Sequence, residues 1–413
     1  MNLRTTLSGL LIIIVGYLPH LVIAAEMSPE VPLELEKPSY SAPWQRYTGR
    51  RWARTDWKNF SNLRHEVLTP VSTYQKIETP IKGNPENGKK LVADRKRGGG
   101  CVACHIMPDT AMPGNIGPDL STIGAWKRPD EFLFNYIYDA RQFNPYTNMP
   151  PWGAHNLFHQ DEIKDIVAYL QTLTEPTHFK TPTDDPTKRP VPVETRDNLD
   201  EFENPAMFSL ELGEELFSTP GPKNQSCQSC HAEATELKTW AATMPKFETR
   251  LNKVIGVEEF VTRHALATTG AEYLAQSKQN LALAIYLRYL ANGQTIAIDQ
   301  SDANTQAAIK RGKALMERKI GQINRACVDC HITNVKKWIR GQYLVPRKGM
   351  YEHFPTYRTS RGAIWDIRKR IQWCGVSVRA NELPPDAPEY GDLEIYLATL
   401  NNGQILNVPG LGH

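Results

Sequence analysis

Apolar side chains spaced three or four residues apart mark three segments along the chain. These segments are residues 161–173, 280–290 and 390–400. The spacing places the apolar side chains on one face, so each segment predicts an amphipathic helix with a buried stripe. A shorter helical segment precedes each one and opens with a glycine, at Gly88, Gly213 or Gly312. We therefore predict three diverged copies of one unit, each with an opening helix and a closing helix that cross.

Between the two helices of every copy lies the pattern Cys-x-x-Cys-His. Its cysteines are Cys101, Cys104, Cys227, Cys230, Cys327 and Cys330, and its histidines are His105, His231 and His331. This pattern attaches c-type haem, because the cysteines form thioethers and the histidine binds the iron. A zinc ribbon needs two cysteine pairs about 15–20 residues apart, whereas these motifs start 126 and 100 residues apart, and a redox disulfide needs no histidine. We expect three covalently bound haem c groups.

The second axial ligand of each iron decides its potential and its access to small molecules. In the first copy the candidates are Met107, Met112 and Met149. Met149 lies 48 residues after Cys101, just before the closing helix, and two prolines follow it and stiffen its loop. We predict that Met149 is the ligand, which makes this group the high-potential electron exit; a methionine packed in the core is the alternative.

The seventh cysteine, Cys374, lies 47 residues after Cys327, nearly the offset of Met149 in the first copy. This predicts a thiolate ligand in the third copy. Basic residues surround it in sequence: Arg368, Lys369, Arg370 and Arg379. If the stretch is helical, Arg370 lies one turn from Cys374, where a cation lowers a thiol pKa and attracts an anion. The alternative is that these cations form a solvated helix face.

His264 is the candidate in the second copy, 37 residues after Cys227. Spacing alone leaves it open whether this histidine is a ligand or an ordinary core or surface residue. A ligand here gives a bis-histidine group of lower potential than the Met149 group, so that electrons can pass through it downhill.

Residues 1–25 predict a signal peptide, with Arg4 at its basic start and a small-residue cleavage site at 22–24. Gly16 and Pro19 interrupt the apolar run, which favours cleavage over a retained membrane anchor. Export to the periplasm agrees with thioether attachment of haem outside the bacterial cytoplasm. The net charge of +3 gives no indication of a nucleic-acid partner.

We predict a mainly α fold with three cytochrome c-like domains in tandem, because 413 residues exceed one small core. The predicted boundaries are 1–25 for the signal peptide, 26–85 for an N-terminal extension, 176–204 for a linker, and 86–175, 205–298 and 299–413 for the domains. The linker is rich in Pro, Thr and charge, and the extension is expected to wrap the first domain.

With these motifs the chain resembles the SoxAX cytochromes of bacterial thiosulfate oxidation. Residues 86–175 look like SoxX, through residues 114–118 (Gly-Asn-Ile-Gly-Pro) and 148–151 (Asn-Met-Pro-Pro). The two later domains look like a two-haem SoxA. The most specific stretch runs from residues 353–358 (His-Phe-Pro-Thr-Tyr-Arg) through Arg370 and Cys374 to residues 388–390. The resemblance covers about three quarters of the chain.

The resemblance implies an L-cysteine S-thiosulfotransferase that joins thiosulfate oxidatively to a cysteine of a SoxYZ-type carrier protein. It implies that Cys374 is both haem ligand and catalytic cysteine, often found as a persulfide in this family, and that Arg370 assists it. Electrons then leave through the haem groups to a small external cytochrome c.

Two departures from the family pattern stand out. His264 occupies the place where two-haem SoxA proteins usually have a cysteine ligand, and this comparison favours His264 as the ligand. The SoxX-like and SoxA-like parts, usually separate chains, are fused. Two other functions stay open: a thiosulfate dehydrogenase that forms tetrathionate, and a non-catalytic multihaem electron carrier.

Overall fold

The computed structural model describes residues 30–40, 55–97, 100–192, 199–232 and 237–412. The predicted signal peptide, residues 1–25, lies outside the described residues. Within the described ranges, no helix combines the length and the apolar character needed to cross a lipid bilayer.

The described part of the chain is mainly helical. The helices are α1 (Pro85–Val92), α2 (Asp130–Tyr138), α3 (Gln160–Gln171), α4 (Phe208–Ser218), α5 (Cys227–Cys230), α6 (Leu237–Ala242), α7 (Val257–Thr268), α8 (Lys278–Leu290), α9 (Ala303–Glu317), α10 (Ile367–Ser377) and α11 (Pro388–Leu400). The strands are β1 (Lys246–Glu248), β2 (Lys253–Ile255), β3 (Trp338–Ile339), β4 (Gln342–Tyr343), β5 (Thr356–Arg358), β6 (Ala363–Trp365) and β7 (Gly410–Gly412). Strands β1–β2 and β3–β4 are antiparallel pairs, and β5 lies between antiparallel β6 and parallel β7.

Polar side chains define where several of these helices begin. Asn84 accepts hydrogen bonds from the backbone of Glu86 and Asn87, and Pro85 occupies the first turn of α1. Ser277 and Asp302 cap α8 and α9 in the same way. Such caps satisfy backbone N–H groups that have no partner within the helix.

The predicted crossing of an opening and a closing helix is confirmed three times: α1 packs on α3, α4 on α8, and α9 on α11. A Cβ added to the opening glycine would overlap a backbone carbonyl and a tyrosine Cβ of the closing helix in every pair. The three sets are Gly88 with Asp165 and Tyr169, Gly213 with Ala282 and Tyr286, and Gly312 with Asp392 and Tyr396. Only a residue without a side chain permits this close approach of two helices.

The first copy packs directly against the third. Asn115 donates its backbone N–H to the carbonyl of Trp338 (3.1 Å), and the Trp338 N–H returns to the side-chain oxygen of Asn115 (2.7 Å). The Arg340 N–H donates to the carbonyl of Ala103 (3.0 Å). Ile323 of the third copy joins the hydrophobic core of the first. The two copies therefore share a continuous, hydrogen-bonded interface.

The predicted linker is not simply an extended spacer. Arg189 is buried, lies over the Trp338 ring at 4.7 Å, and donates to the carbonyls of Arg340 (2.7 Å) and Pro113 (3.1 Å). Residues of the linker thus help to hold the first and third copies together.

The expectation that the N-terminal extension wraps the first copy holds for one part of it only. Residues 69–81 do contact the first copy, for example through Ser72 and Asp139. Residues 31–39 instead contact α7 and its surroundings, and Arg64 pairs with Glu389 of the third copy (2.7 Å). The described parts of the extension therefore contact all three copies.

Candidate active site

The first motif forms a tight turn in which the His105 N–H donates to the carbonyl of Cys101 (3.0 Å). The Nδ1 atom of His105 lies 2.8 Å from the carbonyl oxygen of Pro118. Gly117 lies against the imidazole face so closely that a Cβ would overlap the ring. Burial lowers the pKa of His105, which keeps the ring neutral. With Nδ1 bonded to a carbonyl, the neutral ring offers Nε2 to a metal.

Met149 and His105 line the same cavity. The fully buried Met107 also lines it, whereas Met112 contacts Gly341 and is absent from the cavity's described lining. The Met149 N–H donates to the Thr147 hydroxyl (3.0 Å), which fixes the start of the loop. The geometry narrows the three sequence candidates to Met149 and Met107, and Met149 stays the predicted ligand.

His231 and His264 face each other in the second copy, with ring centroids 6.1 Å apart. The two rings are close enough to hold one metal ion between them. His264 lies on α7, stacks on Phe260, and has Nδ1 2.9 Å from the carbonyl oxygen of Pro32. Burial lowers the pKa of His264, which favours the neutral, ligating form.

Cys374 and His331 line the same cavity in the third copy, close enough for His331 to lower the pKa of the thiol. Burial raises the pKa of the Cys374 thiol, but Arg370, His331 and Arg358 outweigh burial and lower the pKa to about 7. The Nδ1 atom of His331 lies 3.0 Å from the carbonyl oxygen of Val345. Cys374 is thus a thiol of thiolate character beside an anchored imidazole.

Of the four basic residues near Cys374 in sequence, Arg370 alone is among the described residues that line the cavity. Arg368, on the same helix, is buried elsewhere in ion pairs with Glu394 (2.6 Å) and Glu259 (2.8 Å). Arg379 donates to the Lys96 carbonyl (2.9 Å) and lies over the Trp57 ring at 5.5 Å. Helix periodicity turns Arg368 away from Cys374, so its charge serves these buried ion pairs rather than the thiol.

Arg358 is the cation that reasoning from the sequence missed. It is buried at the end of β5, lines the cavity, and lowers the pKa of Cys374. It lies 16 residues before Cys374, and the sheet rather than helix spacing brings it to the thiol. The available signal was its place in residues 353–358, where the resemblance was most specific.

One cavity of about 1,090 Å³ joins the first and third copies. Its lining includes Cys104, His105 and Met149 on one side and Cys330, His331 and Cys374 on the other. Pockets for a single ligand usually have about 300–1,000 Å³. The volume, the anchored imidazoles and the paired His231 and His264 rings fit haem groups held at the motifs.

Two family models match separate parts of the chain. The family model described as SoxA/TsdA, cytochrome c domain, matches residues 212–296, and the model described as Cytochrome C oxidase, cbb3-type, subunit III, matches residues 83–170. The specific likeness of residues 86–175 to SoxX stays a prediction.

Several curated relatives are named L-cysteine S-thiosulfotransferase subunit SoxA. The one from Pseudaminobacter salicylatoxidans is 31% identical over 223 residues, which are 53% of this chain and 77% of the relative. The one from Allochromatium vinosum is 29% identical over 54% of this chain and 78% of the relative. The crystal structure of SoxXA from P. pantotrophus aligns with a TM-score of 0.48 and 24% identity, over 52% of this chain and 82% of that chain.

The matches to cytochrome c families cover the Cys-x-x-Cys-His motifs at 101–105 and 227–231 and support covalently bound haem c in this chain. The similarity to SoxA extends over more than three quarters of a relative's length at 31% identity. The chain belongs to the SoxA family of SoxAX-type cytochromes.

Proposed function

We propose that this protein joins thiosulfate oxidatively to a cysteine of a SoxYZ-type carrier protein and passes the electrons to a small external cytochrome c. The observation that carries this proposal is the Cys374 thiol, which lines one cavity with His331, Arg370 and Arg358, the groups that lower its pKa. The names of the SoxA relatives support the same activity. A plain electron carrier has no need for a half-buried thiol beside two arginines.

The proposed ligand sets are His105 with Met149, His231 with His264, and His331 with Cys374. They correspond to three cytochrome c-like domains at 86–175, 205–298 and 299–413. Three crossed helix pairs with the same glycine contact support this division. We also propose that the protein acts in the periplasm, from the signal peptide that the sequence predicts.

The reaction takes place in two steps on Cys374. First, the outer sulfur of thiosulfate bonds to the Cys374 thiolate, an S–S bond forms, and two electrons leave. The covalently bound haem groups supply the one-electron acceptors. Then a carrier thiolate attacks the sulfur transferred from thiosulfate and displaces the Cys374 thiolate by thiol–disulfide exchange. In sum, one thiosulfate dianion and one carrier thiol give one carrier adduct, one proton and two electrons.

Arg370 and Arg358 offset the repulsion between a thiolate and a dianion. Two unit charges about 4 Å apart interact by about 4 kcal/mol at an effective dielectric constant of 20. Cations fixed beside the thiol act before and during bond formation without reorganising, which is how preorganised charges accelerate a reaction. Arg370 lies one helical turn from Cys374, and Arg358 approaches from the sheet.

The shared cavity favours a direct electron path from the third copy to the first. Cys104 and Cys330 both line it, whereas His231 and His264 are absent from its described lining. This revises the expectation that electrons pass through the second group on their way to the Met149 group.

The test incubates the purified holoprotein with thiosulfate, oxidised cytochrome c and a reduced SoxYZ-type carrier. We expect the carrier to gain the mass of one thiosulfate. Two molecules of cytochrome c should be reduced for each adduct formed. Tetrathionate formed without the carrier would support the thiosulfate dehydrogenase instead. If neither the carrier adduct nor tetrathionate forms although all haem groups are attached, only the electron-carrier function remains.

A further inference from the structure

Arg325 lies in a short loop between α9 and the third Cys-x-x-Cys-His motif. The loop closes on itself, because Ile320 and Arg325 exchange backbone hydrogen bonds of 3.0 and 3.1 Å. Two residues of this loop contact the first copy. The Gln322 side-chain amide donates to the His155 carbonyl (2.7 Å), and Ile323 packs in the hydrophobic core of the first copy. The loop thus fixes Arg325 between the first and third copies.

The Arg325 side chain is 5% exposed and lines the shared cavity. Its Nη2 lies 3.7 Å from Sγ of Cys104, and its buried Nη1 has no hydrogen-bond partner. In the described part of the chain no carboxylate forms an ion pair with it; Asp329 of the third motif is taken by Lys319 at 2.6 Å. Burying a charge without a counterion costs free energy. We therefore expect the buried Arg325 guanidinium to have a functional role.

The positive charge of Arg325 also lies near the third Cys-x-x-Cys-His motif. Arg325 lines the shared cavity together with Cys330 and His331 of the third motif. Cys104 of the first motif lines the same cavity, so the second cysteines of both motifs border it. Arg325 is therefore placed between two haem attachment points that belong to different copies.

We propose that Arg325 is a positioning residue whose buried charge raises the reduction potentials of both haem groups attached at Cys104 and Cys330. Reduction adds a negative charge, and a nearby cation in a medium of low dielectric constant stabilises the reduced form. Buried charge beside the group is one of the means by which a protein adjusts a haem potential. A higher reduction potential makes the thiolate-ligated group of the third copy a better electron acceptor. It also keeps the first group a favourable acceptor for the next electron transfer.

This inference rests on the proposed attachment of haem at the first and third motifs. Arg340 provides a matched control, because it also faces Cys104 from the third copy. Its buried Nη2 has no hydrogen-bond partner, and burial lowers its pKa to about 10. Arg340 is absent from the described lining of the cavity, and its backbone N–H donates to Ala103 of the first motif, so Arg340 is expected to influence the first group alone.

The experiment compares Arg325→Gln, Arg325→Lys and Arg340→Gln in the full holoprotein by spectroelectrochemical titration. Arg325→Gln is expected to lower both potentials by at least 59 mV, a tenfold change in the one-electron equilibrium constant. Arg325→Lys should keep at least half of each potential difference, and Arg340→Gln should lower only the potential of the first group.

Intact-mass analysis of the same samples distinguishes failure of the proposed function from failure of the inference about Arg325. If wild type lacks haem at the first or third motif, the proposed function itself fails. If haem is complete and Arg325→Gln moves neither potential, or only one of them, the inference about Arg325 is overturned. Should the glutamine variant not fold, Arg325→Met is titrated in its place. If Arg325→Lys lowers both potentials as much as the neutral variant does, charge is not the cause and the inference is equally overturned.

Discussion

The carbonyl oxygen of Pro32 lies 2.9 Å from Nδ1 of His264, although the two residues are 232 positions apart in the chain. Neighbouring contacts strengthen this connection: Arg263 donates to the carbonyls of Glu34 (2.8 Å) and Lys37 (3.1 Å). The N-terminal extension therefore orients a proposed haem ligand of the second copy. Partners that hold the second nitrogen of a ligating histidine commonly affect metal affinity about 10- to 100-fold.

Deleting residues 30–37 is expected to alter the second haem group and spare the other two. The deletion removes the carbonyl that orients His264, so we expect one low-spin signal to change in a low-temperature EPR spectrum. His264→Met is the comparison variant and should alter the same signal. A deletion spectrum that matches wild type would contradict a role for Pro32 in orienting this ligand.

Gly117→Ala is expected to destabilise the first copy, because the added methyl group overlaps the His105 ring. Overpacking of this kind costs about 1–3 kcal/mol, and the displaced imidazole should bind iron less well. Urea unfolding followed by haem absorbance measures both effects. Gly375→Ala on α10 is the control, since a Cβ there meets nothing within 4 Å; equal unfolding midpoints for the two variants would argue against the contact.

Met149→Ala is expected to open the first haem group to carbon monoxide and to lower its potential, because a thioether ligand is lost. The potentials of the second and third groups should not move. Carbon monoxide binding to the reduced variant is measured by difference absorbance. Binding no better than in wild type would transfer the ligand assignment to Met107, the other methionine that lines the cavity.

Arg368→Gln and Arg370→Gln should behave as opposites, although the two residues are neighbours on α10. Arg368 lies between Glu259 and Glu394, and removing one partner from a buried ion pair costs about 3–5 kcal/mol. Arg370 faces the thiol, so its loss should lower turnover with thiosulfate by about tenfold or more, at little cost in stability. Chemical unfolding and carrier conjugation, measured on both variants, give the comparison. Equal loss of turnover and of stability in both would contradict the different roles.

The parts of the account that depend on local spacing could be predicted from the sequence. Gly88, Gly213 and Gly312 identified the three helix crossings, and Arg370 followed from helical period. Long-range pairing could not be predicted in this way. Arg358 reaches Cys374 through a sheet, and Pro32 reaches His264 through an extended segment with no periodic pattern. The ion pairs of Arg368 with Glu259 and Glu394 also join separate helices, and local spacing does not indicate them.

The most direct test of the account is the comparison of Cys374→Ser with wild type in carrier conjugation, with intact mass measured on the same samples. The account predicts three covalent haem groups in both proteins and a carrier adduct with wild type only, because serine cannot form the S–S bond. Cys374→Met should be inactive as well, since a thioether sulfur cannot form the S–S bond through which sulfur is transferred. Undiminished conjugation by Cys374→Ser with three haem groups attached would contradict the central claim that Cys374 carries the chemistry.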